Sequence, residues 1–142
     1  MGLAKKINIK SDEEFCAKIL ESDKKIRFVG LTNGKSELLA SVNRTDVDSL
    51  LTPKEIGMSI HYTLERWRKA QNFGFRFGKE KFSLTEYENV TLITIPVGSM
   101  LMLISTDSQI KYDKIVDTVT SLALEIRLDN LIAKTQLLEK QV

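Results

Sequence analysis

Apolar positions first recur with helical spacing: Phe15, Cys16, Ile19 and Leu20 share one face of a 3.6-residue period. Ser11 and Glu14 ahead of them form a capping-box sequence, in which two side chains satisfy orphan amide donors. A short amphipathic helix over residues 12–22 follows. The period then shifts to strand formers. Phe28, Val29 and Leu31 precede Asn33-Gly34, and Leu38, Leu39, Ala40 and Val42 come after it. That dipeptide suits a type I′ hairpin, where both central residues need φ > 0. A polar link, "NRTDVDSLL", leads to Thr52, Pro53 and Glu55, a second capping box with proline at the first helical position.

Ile56, Ile60, Thr63, Leu64 and Trp67 give the next helix a core face as far as Gln71. It can extend to Phe77 with Gly78 closing it, although Gly74 weakens the extension by roughly 1 kcal/mol relative to Ala. Three strands come next, over about residues 81–87, 90–96 and 99–106, with Asn89 and Gly98 in the turns. The third, "SMLMLIS", is apolar on both faces, as a central strand should be. From Asp107 or Ser108 a long helix runs towards Val142. Its Ile115, Val119, Leu122 and Ile126 stripe suits the sheet. A second stripe, Leu124, Leu128, Leu131, Leu138 and Val142, lies roughly 160° away and suits a partner chain, unless the helix bends near Asp129-Asn130.

The order is α-β-β-α-β-β-β-α with short connections, which predicts an α+β fold: a five-stranded antiparallel sheet with flanking helices. The 142 residues are enough for one domain, spanning 1–142, with an extended C-terminal helix over about 108–142. A net charge of +2 supplies no global field for nucleic acid or anionic lipid, so any basic patch must be local. One cysteine excludes an internal disulfide framework and fits a reducing compartment. The N-terminal stretch lacks the apolar core of a signal peptide, and Lys6 stands where N-myristoylation wants Ser or Thr. The apolar run at Met100–Ile104 is far too short for a membrane span. A soluble, cytoplasmic protein is expected.

The candidate chemistry is thin. His61 is the single histidine and lies off the apolar stripe, so His-based triads and multi-His metal sites are excluded within one chain. Cys16 sits inside an apolar stripe, with no neighbouring His or Arg to lower its pKa, and reads as a core residue. Asp46 and Asp48 lack a third ligand, and Asp12, Glu13 and Glu14 belong to a helix first turn. "GLTNGKS" is one residue too tight for a phosphate loop and runs into a strand, not a helix. No catalytic residue, metal or cofactor is expected, and no inward polar cluster suggests a small-ligand sensor. The segment "ERWRKAQNFGFRFGKEK" interleaves Arg66, Arg68, Lys69, Arg76, Lys79 and Lys81 with Phe73, Phe75 and Phe77. It is the one stretch suited to nucleic acid or another polyanion. It falls at a helix end, so its aromatics are expected under the sheet edge and its cations in water. Nucleic acid is therefore an unlikely partner.

The order and the run "IRFVGLTNGKSELLAS", with Gly30, Gly34 and Ala40 in place, resemble the first hairpin of the roadblock/LC7 family, the dynein light chain roadblock-like domains. The resemblance covers Ser11 to about Arg127, and small archaeal proteins of unknown function are similar in the same way. It implies a non-enzymatic adaptor without cofactors: a homodimer that regulates or recruits a small GTPase, or a scaffold component. It also implies a self-contact through the second helix and the neighbouring third strand. Met58 and Tyr62, one i, i+4 step apart and off the core stripe, fit that surface with Glu65, Lys69, Phe82 and Leu84. Leu124, Leu128, Leu131 and Leu138 would serve a further partner.

Overall fold

The protein is described by a computed structural model over residues 11–46 and 49–140; of residues 128–131 and 133 it describes the backbone only. The first helix, α1 (Asp12–Ser22), is capped by the Ser11 hydroxyl, which accepts from the Glu14 amide at 3.2 Å. The hairpin follows as β1 (Ile26–Thr32) and β2 (Leu38–Asn43). Its turn differs from the expected type I′. Among residues 33–37 only Ser36 has positive φ, at 66°. The Asn33 amide donates to the Glu37 carbonyl at 3.1 Å. The Asn33 carboxamide oxygen accepts from the Lys35 and Glu37 amides at 2.9 and 3.1 Å. The loop is thus three residues long, ending in a left-handed residue. Asn33 serves as a hydrogen-bond acceptor, the role its short side chain is suited to in such turns.

The second helix, α2 (Pro53–Ala70), starts at the full capping box: the Glu55 amide donates to the Thr52 hydroxyl at 3.2 Å and the Thr52 amide to the Glu55 carboxylate at 3.0 Å. The Thr52 amide first, then the Thr52 hydroxyl, hold the Glu55 carboxyl below its ordinary pKa. A 3₁₀ turn (Gln71–Phe73) and a short helix, α3 (Gly74–Phe77), continue the chain until Gly78 turns it at φ +80°. Three strands remain: β3 (Ser83–Glu86), β4 (Val90–Val97) and β5 (Met100–Asp107). Between β4 and β5, Gly98 alone has positive φ, at +61°, which is the type II′ pattern. The long helix α4 (Tyr112–Lys140) is continuous and starts later than expected, because β5 pairs on to Asp107, opposite Val90.

The five strands form one antiparallel sheet in the order β2-β1-β5-β4-β3. The strand apolar on both sides, β5, is central. Met102 and Ile104 face the main core, where Phe15, Cys16 and Ile19 of α1 and Ile115 and Val119 of α4 cover Val29, Leu31, Ile93 and Ile95. Leu101 and Leu103 face the opposite way and meet α2 through Ile60 and Leu64, with Ile56 and Trp67 at the margin. The fold is the expected α+β one, with α1 and α4 on one side of the sheet and α2 on the other. The α2 side has the much smaller core.

Candidate protein-interaction surface

Burying Ile60 and Leu64 fixes the rotation of α2. Met58 and Tyr62, two residues off that stripe, are consequently turned outward and stand 63% and 77% exposed. Lys69 is exposed on the same helix, and Glu65 is half-buried, its carboxylate 3.3 Å from the Arg68 guanidinium. The neighbouring strand β3 is four residues long, forms an edge of the sheet and, among the described residues, pairs with β4 alone. Among the described residues no strand pairs with its outer edge, the usual template for adding another strand. Leu84 lies opposite Ile93 and so belongs to the α1/α4 side of the sheet; it remains exposed. Phe82 lies on that side too, half-buried against the main core, with its ring 5.9 Å from Tyr112. Met58, Tyr62, Glu65 and Lys69 are therefore gathered on one helix, while Phe82 and Leu84 flank the β3 edge on the other face.

The basic-aromatic segment departs from expectation. Its phenylalanines are not under the sheet edge: Phe73, Phe75 and Phe77 are all exposed. The 3₁₀ turn and α3 carry them past the end of α2 before β3 begins, so no part of the sheet lies over them. Two of the cations serve the fold. Arg66 donates to the Ser83 hydroxyl at 2.8 Å and to Glu80 at 3.2 Å, tying α2 to the start of β3. Arg68 donates to the Gly34 carbonyl, tying α2 to the first hairpin. Exposed contacts of this kind orient more than they stabilise. Lys69, Arg76, Lys79 and Lys81 make no ion pair among the described residues.

The cysteine and the histidine lie on helices that cover opposite sides of the sheet. Cys16 is fully buried, and burial first, then the Asp12 and Glu13 charges, push its thiol pKa up to about 11. His61 is exposed. No group of three metal-ligating side chains occurs among the described residues, and Asp48 lies outside them. An apolar cleft of about 940 Å³ opens between the first half of α2, the link after β2 and the sheet. Phe28, Leu50, Leu51, Ile56, Leu92 and Leu103 line it. The Arg27 guanidinium at its edge is 3.0 Å from Asp107. Arg44 turns inward and donates to the carbonyls of Leu20, Asp23 and Ile26 at 2.7, 3.0 and 2.7 Å. Sequence reasoning missed both cleft and clamp, since Arg44 reads as an ordinary residue of a polar link. On α4, Leu124 and Leu138 are exposed, as are Ile132 and Leu137, while the side chains of Leu128 and Leu131 lie outside the described residues. No helix among the described residues is long and apolar enough to cross a membrane.

Comparison with known proteins places the chain. No curated protein matches it. The roadblock/LC7 domain from Streptomyces avermitilis aligns with a TM-score of 0.66 at 10% identity, covering 84% of this chain and 97% of that one. The gliding protein MglB from Thermus thermophilus aligns at 0.64 and 15% identity, covering 78% and 80%. MglB from Myxococcus xanthus gives 0.63 and 14%, covering 86% and 94%. At such identities the likeness is one of fold, and it agrees with the sheet order and helix placement above. A family model described as a family of unknown function, DUF6659, matches residues 4–135. The chain therefore has the roadblock/LC7 fold and belongs to the DUF6659 family.

Proposed function

We propose that the protein is a non-enzymatic adaptor that forms a homodimer through the outer face of α2 and the β3 edge and presents the joined module to a protein partner, a small GTPase or a scaffold component. The observation that carries the dimer is the exposed Met58–Tyr62 pair beside an open strand edge. Two large apolar side chains together on a solvent face, rimmed by Glu65 and Lys69, have the make-up of an interface centre with a polar margin. Self-association is a property of at least one protein of this fold, since one MglB structure is described as having a tetrameric arrangement. The GTPase or scaffold partner and the non-enzymatic role rest on the roadblock resemblance.

Sedimentation equilibrium at micromolar concentration tests the dimer. A two-fold contact meets each substitution twice, so Met58→Lys or Tyr62→Glu buries two unpaired charges and should yield monomers. A monomeric wild type, or a dimer indifferent to both changes, overturns the reading. Specific nucleic-acid binding is not expected. A low-micromolar affinity at ~150 mM salt that vanishes when Arg66, Arg68 and Lys69 are replaced by Glu would favour the polyanion reading instead.

A further inference from the structure

The segment between α2 and β3 is built to project. A Cβ added at Gly74 or Gly78 would meet nothing within 4 Å, so both glycines have open space beside them. Its three phenylalanines are half of the six in the protein, and they stay in solvent: Phe73 is 56% exposed, Phe75 81% and Phe77 83%. Phe73 and Phe77 stack at 5.9 Å, while Phe75, two residues along the helical turn, leaves on the opposite side with the Arg76 guanidinium 5.3 Å from its ring. Lys79 and Lys81 follow at once and are exposed. Apolar area of this size on so short a stub, flanked by unpaired cations, marks a binding surface.

The chemistry of the occupant follows from shape and charge. A second copy related by a two-fold axis would bring the same cations against one another. Single-stranded nucleic acid needs a basic groove with rings on one stacking platform, whereas Phe75 and the Phe73–Phe77 stack leave the turn on opposite sides. A bilayer interface asks for no single platform: it takes up exposed rings on either side of a short turn and holds cations at headgroup level. We propose that residues 71–81 are a membrane-surface anchor: Phe75 and Phe77 enter the boundary between headgroups and acyl chains of an anionic bilayer, and Arg76, Lys79 and Lys81 face the lipid phosphates. This goes beyond the adaptor reading and does not depend on it. A dimer would carry two anchors, so mass and membrane binding are measured separately.

The test is co-sedimentation of the full chain with phosphatidylcholine vesicles, with and without ~30% phosphatidylserine, alongside sedimentation velocity without lipid. Binding should require the anionic lipid. Phe75→Ser combined with Phe77→Ser should lower the partition coefficient about tenfold or more. Lys79→Glu combined with Lys81→Glu should lower it by roughly fivefold per position at low salt, the weight of one cation near such a surface. Both variants should keep the wild-type mass and circular dichroism, because the altered side chains are exposed. No binding to anionic vesicles, or binding indifferent to the Phe pair, overturns the anchor. Loss of the wild-type mass in the Phe variant would mean that a second copy covers the stub. Phe-dependent capture of a single-stranded oligonucleotide, with no vesicle binding, would assign the stub to nucleic acid.

Discussion

Gly30 is a strand glycine whose role can be weighed. A Cβ there would sit 2.8 and 2.9 Å from the Cζ and Cε1 atoms of Phe28 and 3.1 Å from Cδ1 of Leu38. The Phe28 ring thus lies across the glycine on the α2 side of the sheet, where it also lines the apolar cleft. Gly30→Ala requires the ring edge to move by about 1 Å, and the cleft gives it room, so the overpacking cost falls near the low end of about 1–3 kcal/mol. Against that stands about 0.4–1 kcal/mol gained by restricting the unfolded chain. The net expectation is a loss of about 0.5 kcal/mol in urea unfolding followed by circular dichroism. In a Phe28→Ala background the main clash is gone, and Gly30→Ala should become neutral or slightly stabilising, a coupling of about 1–2 kcal/mol. Protein concentration is held fixed, because dimerisation would couple it to stability. An equal cost in both backgrounds, or a stabilising Gly30→Ala in the wild type, would refute the packing argument.

Arg44→Met keeps the aliphatic stem but leaves three carbonyls without their donor; urea unfolding should register a loss of about 2 kcal/mol, and a change below about 0.5 kcal/mol would show that water replaces the clamp. Cys16, with its thiol pushed up to about 11, favours the folded state below the unfolded pKa near 9 and loses that contribution as pH rises towards 11. Stability should therefore fall by up to roughly 2 kcal/mol across that window, and Cys16→Ala should flatten the slope. The native thiol should also resist maleimide at neutral pH, read by mass spectrometry, and react only on unfolding.

What the sequence carried most clearly was local. Ser11 and the Thr52–Glu55 pair announce helix starts because a cap is satisfied by residues three positions apart. The central place of β5 was legible from apolar residues on both of its faces, and so was the rotation of α2 from Ile60 and Leu64. Features that depend on distant partners were not. The Asn33 loop is decided by side-chain acceptance across the turn, which the Asn-Gly dipeptide does not encode. Phenylalanine's preference for a core suggested burial for Phe73, Phe75 and Phe77, but the topology carries them beyond the sheet. Phe82 and Leu84 alternate in strand fashion, yet which face they take depends on the β3–β4 register. Met58 and Tyr62 were legible as outward-facing because a helix allows little choice once its core stripe is known.

The central claim is that copies meet through the outer face of α2, and site-specific cross-linking tests it most directly. The single native cysteine is fully buried, so a short bis-maleimide reports only on an introduced thiol. Met58→Cys and Tyr62→Cys should each give a covalent dimer at micromolar protein, while Lys18→Cys, exposed on α1 on the opposite side of the sheet, should not. A covalent dimer from Lys18→Cys with none from the two α2 positions would contradict the account.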